Sequence, residues 1–144
     1  MRAALAVQAG ASCFMAGLIW TMQILNYPLL ALVDPRDVPR YEQAHNRRFI
    51  WLVAPGVIVA LASTAILLAR RRAGVPLIVP LAALALLAVI IASTIRQGAP
   101  SHERLAVRFD AEVHARLVRT NWIRTIAWSA LGVLSLTALA LSSW

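Results

Sequence analysis

Four stretches of this chain, residues 3–33, 49–69, 73–95 and 125–144, pass without one charged side chain. A hydrocarbon core about 30 Å thick takes about 20 apolar helical residues to cross, so each stretch is long enough to span a bilayer. The chain is therefore expected to be all-α, a four-transmembrane-helix bundle forming one integral membrane domain over residues 1–144. The spans are placed at about 4–30, 49–70, 75–96 and 121–143. With 60% hydrophobic residues in 144 and a mean hydropathy of +0.72, a soluble domain is excluded and a second domain has no room. The first stretch exceeds the apolar part of a secretory signal, and the polytopic pattern behind it argues for a retained anchor.

The charged residues sit between and beside the spans. Asp34-Pro35 reads as a helix start, followed by the polar segment Arg36 to Arg48, in which Tyr41, Glu42, His45 and Asn46 recur at three and four residues and share a face. Arg70 to Gly74 is expected to be a tight turn. Gln97-Gly98-Ala99-Pro100 reads as a helix break, with Ser101 capping a new helix. From His102 the pattern is amphipathic, and a helix continuing unbroken to Trp144 would be about 65 Å long, twice the membrane thickness. The polar segments, about 34–48 and 101–120, emerge on one side and are expected to pack as a cap. The third span, almost wholly Ala, Leu, Val and Ile, reads as a structural wall. Pro28 either kinks the first span or marks its exit.

The net charge of +8 is carried by arginine alone, since the chain has no lysine. Arginines at helix ends meet anionic headgroups, and nothing resembles a nucleic-acid module, so the bilayer is the expected partner. Arg2 and Arg70 to Arg72 fall on one side and the other ten arginines, with all six acids, on the other. That leaves the orientation open, in what is expected to be a bacterial inner (cell) membrane. The single cysteine, Cys13, allows no intrachain disulfide and is expected to be a small buried residue.

The segment Asp110 to Ser129 joins a charged helix to an apolar one without a breaker. Asp110, His114, Asn121, Arg124, Thr125 and Trp128 follow at helical spacings and share a broad face. Arg124 either snorkels to headgroups or anchors an anionic or carbonyl-bearing ligand between helices, with Gln23, Asn26 and Asn121 as neutral hydrogen-bonding partners. Trp122 and Trp128 belong to the interfacial belt or the bundle core, or offer a face to a flat aromatic ligand. His45, His102 and His114 all lie in the polar segments, and with Glu42, Glu103 or Asp110 they offer the nitrogen and oxygen donors a transition metal takes. The other reading is that these histidines are interfacial or hydrogen-bonded within the cap. A cofactor is thus a transition metal or none. His45, His114 and Arg124 are the candidate catalytic residues. Glu112 and Arg116 stand in the favourable order for an ion pair.

Three segments, QILNYPLL (Gln23 to Leu30), YEQAH (Tyr41 to His45) and RTNWIRTIAWSA (Arg119 to Ala130), resemble a group of small four-helix membrane proteins related to the anthrone-oxygenase-like family. They cover about a quarter of the chain, in matching order. The resemblance implies an oxygenase acting on a lipophilic phenolic or polyketide-like substrate at the membrane face, with His45, Asn121, Trp122 and Arg124 as carried-over candidates. It also implies chemistry either with a metal or through a substrate enolate that reduces dioxygen itself. Family members often carry Pro, then Asn and Leu, after the third span; here GAPSHERL keeps the proline and leucine around a histidine-containing insertion. Two other readings stand beside the oxidoreductase: a non-catalytic scaffold or partner-binding subunit, and a small transporter, ranked last because no acid lies inside a span.

Overall fold

The computed structural model describes residues 2–70 and 75–142. It contains four long helices, α1 (Arg2–Leu30), α2 (Val38–Ala69), α3 (Ile78–Leu105) and α4 (Ala111–Leu141), each long and apolar enough to cross a membrane. Alanine, leucine, isoleucine and valine put one stripe of each helix inward. In α4 that stripe is Val113, Leu117, Asn121, Arg124, Trp128, Leu131 and Ser135, spaced by three or four over the whole helix. Helix α1 packs along both α2 and α4, and α3 packs along α4. The face between α2 and α3 is the most thinly packed of the four, and it is there that the bundle opens.

Three apolar clusters stack along the bundle. Leu5, Leu67 and Val75 close one end. Met15, Ile19, Leu87, Ile90, Trp128 and Leu131 fill the middle. Tyr27, Leu30, Val38, Leu105, Val113 and Leu117 close the other end. A fully buried aromatic such as Trp128, 1% exposed, anchors the middle layer through area alone.

Two helices carry a wide turn directly before a proline. In α1 the turn is Met22–Asn26, and the Tyr27 N–H reaches back five residues to the Met22 carbonyl. In α3 it is Thr94–Gly98, and the Ala99 N–H reaches the Thr94 carbonyl. The cause is the same in both. Pro28 and Pro100 have no N–H, and their rings crowd the carbonyl four residues back, so the helix admits one extra residue in a π turn and continues. The expected break at Gln97 to Pro100 is therefore absent: α3 runs on to Leu105, and Ser101 caps nothing but donates its hydroxyl to the Gln97 carbonyl at 2.6 Å. Likewise Pro28 is carried inside α1.

Other expectations also need correction. Asp34-Pro35 forms a turn rather than a helix start. The Asp34 carboxylate accepts from the Arg36 N–H at 2.9 Å, and its carbonyl accepts from the Asp37 N–H at 2.8 Å. Helix α2 begins at Val38 with Asp37 at its N-cap and Pro39 in its first turn, where no donor is needed. The supposed single helix from His102 to Trp144 is interrupted at 106–110. Cys13 is exposed, not buried. The expected turn at Arg70 to Gly74 lies, from residue 71 on, outside the described residues.

Asp110 is what restarts the chain. Its carboxylate accepts from the Glu112 and Val113 N–H groups at 3.0 and 3.1 Å, and Arg104 stands 3.9 Å away. That is the one Arg–carboxylate pair within 4 Å among the described residues; Glu112 and Arg116 do not form the other. The Val113 N–H, above all, with help from Glu112, Arg104 and Arg108, holds the Asp110 carboxyl below its ordinary value. Its folded-state pKa is lower than its unfolded one, so the cap contributes in full above the ordinary carboxylate pKa of about 3.9 and is lost as pH falls through the lower folded value. Hydrogen exchange at Val113 should accordingly become unprotected only in acid below that range. Asp110→Asn, which keeps the acceptor but does not titrate, should remove the acid step.

Candidate functional site

A cleft of about 420 Å³ lies inside the bundle and opens between α2 and α3. Its lower walls are apolar, with Met15, Val57, Ile90 and Trp128 at the closed end; Tyr27, Asn46, His102, Asn121 and Arg124 supply polar groups above them. Such a cavity, mostly greasy with a few convergent polar groups, is the usual form of a small-molecule site.

Arg124 is 5% exposed. Its Nε donates to Asn121 Oδ1 at 2.9 Å and its Nη1 to the Ser93 carbonyl and hydroxyl at 3.4 and 3.5 Å, while the Tyr27 hydroxyl also faces the guanidinium. No carboxylate lies within 4 Å of it among the described residues. A buried cation held by neutral groups alone retains most of its appetite for an anion.

Asn121 passes the constraint on. Its Nδ2 donates to Gln23 Oε1 at 2.9 Å, and Gln23 Nε2 donates to the Val118 carbonyl at 3.3 Å. On the other side of Arg124 a second chain begins: the Tyr27 hydroxyl lies 3.3 Å from His102 Nε2, and His102 Nδ1 lies 2.8 Å from Glu42 Oε2. Glu42 is 1% exposed, so its carboxylate is committed to this imidazole. A carboxylate on one ring nitrogen fixes the histidine's orientation and leaves the other nitrogen to exchange a proton, the arrangement of a general base. All four helices contribute: α1 with Gln23 and Tyr27, α2 with Glu42, α3 with Ser93 and His102, and α4 with Asn121 and Arg124.

Helix α3 is thus no wall. Its π turn sets Gly98 against Arg124: a Cβ there would lie 2.7 Å from Nη1 and 3.2 Å from Cζ. Only glycine lets the guanidinium lie flat on the helix. Gly98→Ala should cost about 1–3 kcal/mol by overpacking. The same change made on an Arg124→Met background should cost clearly less, because the crowded guanidinium atoms are gone. Denaturant unfolding of the four proteins in a double-mutant cycle checks this.

The candidate residues divide into those that meet and those that do not. Gln23, Asn121, Arg124, Trp128 and His102 come together around the cleft. His45 lies one layer out, its ring stacked between Phe49 and His102 with centroids at 4.8 and 5.6 Å. Its Nε2 is buried with no hydrogen-bond partner. His114 is elsewhere: its Nε2 meets the Tyr27 carbonyl at 2.9 Å, capping the end of α1. Asn26 donates to the Tyr41 hydroxyl at 2.8 Å, outside the cleft. Trp122, 41% exposed, packs edge-on against Trp20 with centroids 5.4 Å apart. No three His, Cys, Asp or Glu side chains among the described residues gather so as to hold a metal ion: His45 stacks on His102, the His102 ring nitrogens face Tyr27 and Glu42, and His114 meets the Tyr27 carbonyl.

Tyr27, Ser93 and Gly98 were not singled out as site residues by the sequence, and Glu42 only as one of three carboxylates that could join the histidines at a metal. The recurrence of a proline one position after Tyr27 and after Ala99 was the available signal, since a proline deep in a long apolar run predicts a local widening that exposes backbone and redirects side chains. No protein-family model, curated protein or solved structure matches the chain.

A second polar cluster lies in the other half of the bundle, where the Ser63 and Thr64 hydroxyls both donate to Gln8 Oε1. It joins α1 to α2 and does not reach the cleft.

Proposed function

We propose that this chain is a membrane-embedded oxygenase that removes a proton from a lipophilic aromatic or polyketide-like carbonyl compound and lets the resulting enolate react with dioxygen. The observation that carries the proposal is Arg124: a buried guanidinium with no carboxylate partner among the described residues, at an apolar cleft, beside a histidine oriented by a buried glutamate. The three segments that resemble the anthrone-oxygenase-like family include Gln23, Tyr27, Glu42, Asn121 and Arg124.

In this account the substrate's carbonyl or phenolic oxygen lies against Arg124. His102 Nε2 takes a proton from the adjacent methylene, directly or through the Tyr27 hydroxyl, and Glu42 steadies the imidazolium that forms. The negative charge that appears on oxygen is met by Arg124, which is already desolvated and in place. The enolate carbon then passes electrons to O₂ and bonds to it. Cleavage of the O–O bond and loss of the second hydrogen leave a ketone, so that a methylene and O₂ become a carbonyl and water, with O₂ as the oxidant.

The test is an anthrone supplied to the purified protein in a lipid nanodisc under ¹⁸O₂. Oxygen uptake above the spontaneous rate, with the label in the new carbonyl, is expected. His102→Ala and Arg124→Met should return uptake to the spontaneous rate. A wild-type rate equal to that of empty nanodiscs would remove the oxygenase proposal.

A further inference from the structure

We propose that the cleft takes its ligand sideways from the bilayer, through the gap between α2 and α3, as a compact amphiphile whose ionised oxygen stays at headgroup depth. The proposal rests on Arg124 as the partner of an anionic oxygen, but not on the oxygenation step.

The rim of the gap is formed by Ile50 and Ile95, whose side chains stand 54% and 65% exposed although they line the cleft. Large aliphatic side chains at a mouth present no barrier to a molecule dissolved in acyl chains. Each adjoins a residue that favours the membrane interface: Trp51, 79% exposed, follows Ile50, and the exposed Arg96 follows Ile95. The opening therefore sits where headgroups give way to hydrocarbon.

The far end of the bundle is closed. Val38, Leu105 and Leu117 are 0% exposed and pack over Tyr27. Below them the cleft is graded. Tyr27, Asn46 and His102 lie uppermost, Arg124 in the middle, and Val57, Ile90 and Trp128 toward the bundle centre. An amphiphile resting in one leaflet has the same gradient, polar end outward and apolar body inward, so it can slide in without changing depth or turning over.

Size narrows the ligand class. The cleft's volume of about 420 Å³ lies in the range that takes a compact, drug-sized molecule. A two-tailed lipid does not fit. The ligand is thus compact and apolar, with one ionisable oxygen for Arg124.

The test uses 1,2-dihydroxyanthraquinone, whose visible absorption moves to the red when its phenol ionises, loaded into phosphatidylcholine vesicles and mixed with vesicles carrying the protein. Wild type should bind it in the ionised form. Ile50→Trp with Ile95→Trp, which narrows the gap, should slow association about tenfold while Kd stays within about threefold, because entry and exit are hindered alike. Glu103→Trp, at the upper rim, and Val133→Trp, on the outer surface of α4, should leave the rate unchanged. If the paired variant misfolds, Ile95→Phe alone should slow entry by a smaller factor in the same direction.

Slowing by Glu103→Trp and not by the paired variant would overturn lateral entry. Tighter binding of oleate than of the dye would overturn the compact ligand. Binding without the red shift would overturn the anionic oxygen at Arg124, and the proposed function with it. Lateral uptake of the ionised dye by a protein that does not oxidise anthrone would sustain this inference and overturn only the oxygenase.

Discussion

Arg124→Met is expected to stabilise the protein and sharply weaken its binding of an ionised phenol. Methionine has nearly the reach of arginine and suits walls made of Ile90, Trp128 and Ser93. Replacing a buried charge that lacks a counter-ion by an apolar group of similar volume is commonly neutral or stabilising, and a gain of about 1–2 kcal/mol is expected in denaturant unfolding. Part of the gain is offset because Asn121 Oδ1 loses the donor it now has at 2.9 Å. The affinity for the dye should fall about a hundredfold, the scale expected when one member of a desolvated charge pair is removed. Arg124→Lys should recover part of it, since an ammonium keeps the charge but not the flat group that rests on Gly98. A variant that lost stability and binding together would mark Arg124 as a structural residue.

Glu42 carries the second large effect. Its carboxylate is buried and accepts from His102 Nδ1 at 2.8 Å. Glu42→Ala would strand that nitrogen in an apolar place, which costs about 2 kcal/mol. Glu42→Gln is the more informative change. The amide oxygen can still accept from Nδ1, so stability should move by less than about 1 kcal/mol. But an amide cannot balance the charge of an imidazolium, and turnover should fall by about a hundredfold or more, within the range general-base catalysis contributes. Binding of the dye should be little changed. Loss of turnover with intact folding and binding separates a residue that positions a base from one that only packs.

How much of this could be read from residues alone depended on how local the cause was. The four helices follow from uncharged length, a property of each stretch by itself. The closeness of Gln23, Asn121 and Arg124 was also within reach: lipid offers no partner to a buried amide or cation, so these groups must face one another. The role of α3 was not, because Ser93 and Gly98 are ordinary in an apolar helix and matter only through the guanidinium that lies against them. Nor was the Glu42–His102 pair. Those residues are 60 positions apart, and the nearer pairing of Glu42 with His45 looked as plausible on spacing. The π turns were missed because Pro100 was read as ending a helix and Pro28 as kinking or ending one, whereas a long apolar helix with packed neighbours widens and goes on. His114 shows the reverse failure. It lies on the same face as Asn121, yet an uncapped carbonyl at the end of α1 claims it first.

The central claim is that an anionic oxygen sits against Arg124 inside the cleft, and a brominated phenol tests it most directly. An anomalous-difference map of the protein crystallised with such a ligand should place the bromine among Val57, Ile90 and Trp128, with the phenolate oxygen within hydrogen-bonding distance of the Arg124 guanidinium. Bromine found only on the outer, lipid-facing surfaces, with the cleft empty beside Arg124, would contradict the account.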